Sequence, residues 1–190
     1  MVRARRKFRK LYRDCDPRRL IFFDESGINL SMARTHARSP CGKRAVGSVP
    51  KNWGDNVTLS AGLSTRGLVA PLMLVGSMNG PVFDAYIKQF VARELRPGDI
   101  VVLDNLSAHK LASIAATIEQ TGAQLVYLPP YSPDLSPIEL AWSKAKAMLR
   151  RAAARTPRSL LRAVTRALQA ITPQDAIGWF RHCGYRAAFN

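Results

Sequence analysis

The stretch IVVLDN, residues 100–105, consists of four continuously apolar residues followed by an aspartate and an asparagine. A strand that is covered on both faces is apolar without alternation, whereas a strand with one exposed face alternates. We therefore predict a central buried strand over residues 100–103, with Asp104 at its carboxyl end. The run LIFFDE, residues 20–25, has the same pattern of four apolar residues followed by two polar ones, and it predicts a second buried strand that ends at Asp24.

The segments that surround these two strands change repeatedly between strand and helix patterns. Residues 56–64 and 68–75 are β-type runs joined by the turn sequence STRG, which indicates a hairpin. Residues 81–91 carry apolar side chains at helical spacing, residues 111–121 are also helical, and residues 124–127 predict a short strand. This mixed order of strands and helices predicts an α/β fold.

The last third of the chain predicts three helices, over residues 137–153, 157–171 and 173–180. Each begins with a serine or threonine followed by proline, which is the pattern of an N-cap and a first helical turn. We therefore expect these three helices to follow the last strand without a further domain boundary.

The charge of the chain is concentrated at its two ends. Its 190 residues carry a net charge of +16, with an isoelectric point near 10.7. The net charge is +7 over residues 1–19, zero over residues 20–139 and +9 over residues 140–190. A protein with strongly basic ends and a neutral centre that holds nearly all the acids is expected to bind a polyanion, and the two basic ends together favour nucleic acid.

The cysteines and the apolar runs exclude several classes of protein. Cys15, Cys41 and Cys183 are widely spaced, so we predict neither a disulfide framework nor a zinc site. No run approaches the ~20 continuous apolar residues that a membrane-spanning helix needs, and the N-terminus lacks a signal-peptide core. We expect a protein of the cytoplasm with no membrane partner.

A third acidic residue follows the proline-rich stretch LPPYSPDLSPIE, residues 128–139. Glu139 lies at the start of a predicted helix, with 34 residues between it and Asp104. Three carboxylates can hold two divalent ions, which favour oxygen ligands and support cleavage of phosphodiester bonds. We predict Asp24 as the ligand shared by two Mg²⁺ or Mn²⁺ ions, with Asp104 and Glu139 on either side.

Each of these acidic residues also has a structural interpretation. The sequence SPIE, residues 136–139, is a capping box as written, in which Glu139 would bond back to the N-cap amide. The pairs that begin at Asp24 and Asp104 could equally be turns at strand ends, because Asp and Asn favour such positions. The occurrence of all three in this order favours the catalytic interpretation.

The strings FFDESG, VVLDNLSAHK and LPPYSPDLSPIELAWSKAK together resemble the catalytic domain of mariner-type and related bacterial insertion-sequence transposases. The resemblance covers residues 20–151, and the spacing of 34 residues is one that this family uses. It implies a ribonuclease-H-like fold, a mixed sheet with helices on both faces, formed by residues 19–190 with the C-terminal helices. Residues 1–18 are then a basic linker helix. It also implies that Asp24, Asp104 and Glu139 are the catalytic and metal-binding residues.

The resemblance further implies a transposase activity. We expect hydrolysis of DNA at the ends of a mobile element, transfer of the resulting 3′-hydroxyl into target DNA at TA dinucleotides, and a homodimer assembled on double-stranded DNA. Relatives usually carry helix-turn-helix units before the catalytic domain. An N-terminal helix-turn-helix half, supplied by a split reading frame, is therefore an expected partner, in a bacterial cytoplasm and associated with the nucleoid.

Several further residues are candidates for DNA contact or for the core. The predicted DNA contacts are Arg5, Arg6, Lys10, His109, Lys144 and Lys146. The alternatives are helix capping or orientation of a metal-bound water for the histidine, and a solvated helix face for the basic residues. Glu25 is predicted to be structural, because consecutive strand residues point to opposite faces. The three tryptophans, Trp53, Trp142 and Trp179, are predicted core residues.

Two other functions remain open from the sequence. A catalytically silent remnant of a truncated or split transposase would bind DNA or dimerise without cutting. A ribonuclease or junction nuclease of the same fold would share the acidic residues, but the proline-rich stretch is not a general feature of those enzymes.

Overall fold

The centre of the fold is a five-stranded mixed sheet, seen in a computed structural model that describes residues 2–185. The spatial order of its strands is β3-β2-β1-β4-β5, with β1 next to β4 in parallel and next to β2 in antiparallel orientation. The strands are β1 (Leu20–Ile28), β2 (Val57–Ser64), β3 (Gly67–Val75), β4 (Ile100–Leu103) and β5 (Gln124–Tyr127). The two central strands are therefore the two apolar runs that the sequence identified.

The predicted end of β1 is wrong, and the register explains why. The parallel pairing of β1 with β4 stops at Phe22, opposite Val102, as predicted for a short buried run. On its other edge β1 continues to pair with β2 as far as Ile28, so the strand does not end at Asp24. Asp24 nevertheless lies just beyond the last β1–β4 pair, at the same edge of the sheet where β4 ends.

Six α-helices are present within residues 2–185. They are α1 (Val2–Tyr12), α2 (Gly80–Tyr86), α3 (Ala112–Gln120), α4 (Ile138–Ala152), α5 (Pro157–Gln169) and α6 (Pro173–His182). The helix predicted over residues 81–91 is divided, because a π-helical turn over Ile87–Val91 follows α2. No helix in this part of the chain is both long and apolar enough to cross a bilayer.

The helices cover both faces of the sheet, because neighbouring residues of β1 point in opposite directions. Phe22 belongs to a core that contains the buried side chains of α4, α5 and α6. Phe23 belongs to a second core with the buried side chains of α2 and α3. The Phe23 ring covers Gly62 of β2, where an added Cβ would approach it to 2.6 Å. The predicted mixed sheet with helices on both faces is confirmed.

The cap predictions are confirmed for two of the three C-terminal helices. The hydroxyls of Thr156 and Thr172 accept hydrogen bonds from the third backbone amides of α5 and α6. The cap predicted for α4 is wrong, because Pro137 occupies the N-cap position and no side chain caps the helix. The amide of Glu139 donates to the carbonyl of Ser136 at 3.2 Å, and the predicted capping box does not form. The Glu139 carboxylate is therefore not used as a cap.

The predicted core positions of the tryptophans are correct for two of the three. Trp142 is buried and Trp179 is half-buried against the same core. Trp53 is 62% exposed, so its predicted core position is wrong. It lies in the irregular segment of residues 29–56, which contributes no strand or helix that could cover it.

Candidate active site

The three predicted carboxylates line one cleft at the edge of the sheet where β4 ends. The cleft has a volume of about 710 Å³, and the proline-rich stretch of residues 128–136 forms one of its walls. Asp24 comes from the middle of β1, Asp104 follows the last residue of β4, and Glu139 lies in the first turn of α4. Residues that are far apart in the sequence are thus brought to one place by the parallel pairing of β1 with β4.

Asp24 is the most deeply buried of the three carboxylates. Its Oδ2 accepts a hydrogen bond of 3.1 Å from the indole Nε1 of Trp142. Burial and the negative charge of Glu139 raise the pKa of Asp24 to about 7, and the charges of Glu25 and Asp104 act in the same direction. A carboxylate in such surroundings favours a bound cation or proton, because either one neutralises its charge.

Asp104 has the opposite electrostatic environment. Its Oδ1 accepts a hydrogen bond of 3.0 Å from the amide of Leu106 and lies 2.5 Å from Nδ1 of His109. Burial tends to raise the pKa of Asp104, but the hydrogen bonds from His109 and Leu106 outweigh it and lower the pKa below its usual range. Asp104 is therefore held as a carboxylate.

His109 lies behind Asp104 rather than on the DNA-accessible surface. Its ring is 2% exposed, its Nε2 lies 3.2 Å from Oε1 of Glu25, and the ring of Phe83 packs against it at a centroid distance of 4.2 Å. Burial tends to lower the pKa of His109, but its contacts with Asp104 and Glu25 outweigh it and raise the pKa to about 9. The predicted phosphate contact does not fit this buried position.

The donor set of the cleft fits divalent cations. Asp24, Asp104 and Glu139 offer only oxygen atoms, which are the ligands that Mg²⁺ prefers. None of the three pairs with a lysine or arginine within residues 2–185, so their negative charges repel one another. They line the cleft at some distance from each other, and no three acidic, histidine or cysteine residues in the described part converge closely enough to hold one ion.

Some of the predicted DNA contacts are bonded to acidic residues of the chain, and others form no such ion pair. The Arg5 guanidinium bonds both oxygens of Asp134, at 2.9 and 2.6 Å, and Lys144 Nζ lies 2.6 Å from Asp175 and 2.7 Å from the carbonyl of Ala170. These contacts attach α1 to the proline-rich stretch and α4 to α6. Three predicted contacts form no ion pair with any residue in the range 2–185; they are Arg6, Lys10 and Lys146.

Two residues with a role in the site were not identified from the sequence. Trp142 was assigned to the core alone and Glu25 to the structure alone, yet Trp142 contacts Asp24 and Glu25 contacts the histidine beside Asp104. Helical spacing could have indicated the first, because Trp142 lies three residues after Glu139 and shares its helix face. No sequence pattern indicates that Glu25 meets a histidine 84 residues away.

Comparison with known proteins agrees with this geometry. The family of DDE superfamily endonucleases matches residues 19–161. No curated protein matches the sequence significantly. Among solved structures, the chain is similar to the Mos1 transposase paired-end complex with the left transposon end, at a TM-score of 0.72 and 17% identity. That match covers 94% of this chain and 55% of the Mos1 chain.

Two further Mos1 structures are similar to the chain. The mariner paired-end complex with Mn has a TM-score of 0.66 at 18% identity, over 96% of this chain and 55% of that one. The Mos1 catalytic domain with Raltegravir and Mg has a TM-score of 0.60 at 16% identity, over 93% of this chain and 81% of that one. This chain thus spans about half the length of the Mos1 chains in the paired-end complexes.

These similarities confirm the ribonuclease-H-like fold that the sequence resemblance implied. The family match begins at the first residues of the core and includes all three carboxylates of the cleft. The chain belongs to the DDE superfamily of endonucleases.

Proposed function

We propose that this chain is the catalytic part of a transposase that cuts DNA at the ends of a mobile element and joins the new 3′-hydroxyl to target DNA. The observation that carries the proposal is the meeting of Asp24, Asp104 and Glu139 in one cleft. The Mos1 structures add support, since one of them is a transposase paired-end complex with the left transposon end. Residues 19–190 form the catalytic domain in this proposal, and residues 1–18 form a linker helix.

Asp24, Asp104 and Glu139 would hold two divalent ions, with Asp24 shared between them. Bound Mg²⁺ or Mn²⁺ would supply an activated water or 3′-hydroxyl and would stabilise the leaving oxygen. Solved Mos1 structures that contain Mg or Mn support this choice of ions. In the hydrolytic step the water oxygen forms a bond to phosphorus, the bond to the bridging 3′-oxygen breaks, and that oxygen takes up a proton.

The residues around the carboxylates have orienting roles in this scheme. Trp142 donates to Oδ2 of Asp24 and so restricts the orientation of that carboxylate. The proline-rich wall is fixed from outside, because Arg5 bonds the carbonyl of Tyr131, the hydroxyl of Ser132 and the carboxylate of Asp134. A rigid wall limits the positions that a phosphodiester can take in the cleft.

The substrate is duplex DNA, held by basic residues outside the cleft. Arg6 and Lys10 are exposed on α1, and Lys146 is half-buried on α4, so these three are the proposed phosphate contacts. A homodimer on DNA, TA target sites and a helix-turn-helix partner are further parts of the proposal. They are supported by the resemblance to mariner-type transposases.

The transfer step is tested with duplex oligonucleotides that end in a free 3′-hydroxyl and a supercoiled target plasmid, in Mg²⁺ or Mn²⁺. The proposal predicts covalent joining by the wild type and none by Glu139→Gln, with equal DNA binding by both proteins. Binding without joining or nicking would instead support a silent remnant. Cleavage confined to an RNA–DNA hybrid would support a ribonuclease.

A further inference from the structure

His109 forms a buried link between Glu25 of β1 and Asp104, which directly follows β4. On one side its Nδ1 lies 2.5 Å from Oδ1 of Asp104, and on the other its Nε2 lies 3.2 Å from Oε1 of Glu25. The ring packs against Phe83, and the hydroxyl of Tyr127 donates to the His109 carbonyl at 2.9 Å. The imidazole therefore has a carboxylate beside each of its two nitrogens and the Phe83 ring packed against it. The hydroxyl of Tyr127 also fixes the backbone of the histidine.

The alternation of β1 explains why Glu25 meets this histidine and not the cleft. Asp24 points to the face covered by α4, where it meets Trp142, and Glu25 points to the face covered by α2. His109 follows the end of β4 and lies on that second face, beside Phe83 of α2. Two consecutive residues of one strand thus approach the catalytic region from opposite sides of the sheet.

The two oxygens of Asp104 have different surroundings. Oδ1 accepts a hydrogen bond from the amide of Leu106 and is the oxygen that lies 2.5 Å from Nδ1 of His109. Rotation of the carboxylate would break both contacts, so the group has one preferred orientation. Oδ2 is the oxygen that remains for a ligand.

We propose that Glu25 and His109 are positioning residues for Asp104, which hold Oδ1 so that Oδ2 remains free to bind a divalent ion. This inference rests on the proposed function, because it needs Asp104 to be a metal ligand. Metal ligands are generally oriented by a second set of hydrogen bonds, and loss of such a partner typically lowers metal affinity by ~10- to 100-fold. Glu25 does not touch the metal in this arrangement and acts only through His109.

A purely structural role for the cluster is a poor explanation of its composition. The side chains of Glu25 and His109 are 14% and 2% exposed, and charged groups at that depth lose most of their hydration. Apolar residues of similar volume would stabilise the fold equally well or better than a buried ionic cluster. The ionic cluster is therefore better explained by orientation of the Asp104 carboxylate than by a contribution to stability.

The test is a double-mutant cycle on Mn²⁺ affinity, measured on the full chain from the electron paramagnetic resonance signal of free Mn²⁺. The variants are Glu25→Gln, His109→Ala and the two together, with Tyr86→Phe as a control. The control removes a buried hydrogen bond to the carbonyl of Ala70 in the same core and keeps both side chains that contact the nitrogens of His109. Thermal unfolding of each variant reports folding separately.

We expect His109→Ala to weaken Mn²⁺ binding by about tenfold and Glu25→Gln to weaken it by a smaller factor. Because Glu25 acts through His109, the double variant should bind no more weakly than His109→Ala alone. Tyr86→Phe should keep the wild-type affinity even where it lowers the melting temperature.

Three results would overturn the inference. Wild-type Mn²⁺ affinity in His109→Ala, with affinity lost in Asp104→Asn, would reject the positioning role and leave the proposed function standing. Additive losses in the double variant would show that Glu25 acts independently of His109. Absence of Mn²⁺ binding by the wild type would reject both the proposed function and the inference that rests on it.

Discussion

The indole Nε1 of Trp142 lies 3.1 Å from Oδ2 of Asp24, so a buried residue of α4 holds a carboxylate in the middle of β1. Hydrogen bonds to charged groups contribute ~1.5 to 3 kcal/mol, and Trp142→Phe removes this one together with some buried volume. We expect a loss of about 2 kcal/mol in the free energy of unfolding and weaker binding of Mn²⁺. Urea denaturation and metal titration measure the two effects.

The matched control for that change is Trp179→Phe. Trp179 is a half-buried member of the same core and has no contact with the carboxylates. It should leave Mn²⁺ affinity unchanged. Equal losses of affinity in both variants would show that the effect of Trp142 is general destabilisation.

The raised pKa of Asp24 predicts that its carboxylate destabilises the metal-free protein. The carboxyl releases its proton near its ordinary pKa of 3.8 when unfolded and near 7 when folded. Folding therefore takes up a proton between these values, and stability falls as the pH rises from about 4 to 7. In a chelator at pH 8, Asp24→Asn should melt at a higher temperature than the wild type.

At pH 4 the same two proteins should melt at similar temperatures, because the wild-type carboxyl is then protonated in the folded state and still partly protonated in the unfolded state. Mn²⁺ should restore stability to the wild type alone at pH 8. A wild type that melts above Asp24→Asn at pH 8 in chelator would contradict the electrostatic description of the cleft.

Lys144 and Lys146 are two residues apart on α4 but should respond differently to substitution. Lys144 bonds both Asp175 and the carbonyl of Ala170, so Lys144→Met should lower the free energy of unfolding by ~1 to 2 kcal/mol. Lys146→Met should leave stability unchanged and weaken DNA binding. Denaturation and DNA binding at a fixed salt concentration are measured for both variants. If Lys144→Met weakened DNA binding without loss of stability, the assignment of Lys144 to a structural role would be contradicted.

The free basic residues of α1 should contribute to the salt dependence of DNA binding. Each phosphate contact adds about 0.9 to the slope of log affinity against log salt concentration. The double variant Arg6→Gln with Lys10→Gln should therefore reduce the slope by about 2. The control, Arg93→Gln with Arg96→Gln, removes the same charge from exposed positions far from α1 in the sequence. An equal reduction of the slope in both double variants would indicate a general effect of net charge.

The sequence predicted the strands, and the three carboxylates that line one cleft, better than the contacts around them. Runs such as residues 100–103 are identified because continuous apolar character reports burial on both faces. The end of β1 was predicted wrongly, since it depends on pairing with β2, which is a long-range contact. The prediction of the α4 cap was also wrong. A 3₁₀ turn over Pro133–Leu135 precedes the helix, and Pro137 rather than Ser136 is at the N-cap.

The contacts around the carboxylates could not be read from local patterns. Arg5 and Lys144 were assigned to DNA because basic residues on a helix look alike whether or not an acid is nearby. Their partners Asp134 and Asp175 are 129 and 31 residues away, respectively. The same limit applies to His109, whose burial between two acids depends on the packing of three separate elements.

The most direct test of the carboxylate cleft is nicking of supercoiled plasmid in Mn²⁺ by the wild type and by Asp104→Asn, with DNA binding measured in parallel at the same salt concentration. This substitution removes the charge of the carboxylate and one of its two oxygens while it keeps the shape of the side chain. The account predicts that the wild type nicks the plasmid, and that Asp104→Asn binds DNA with wild-type affinity but does not nick. Nicking by Asp104→Asn at the wild-type rate would contradict it.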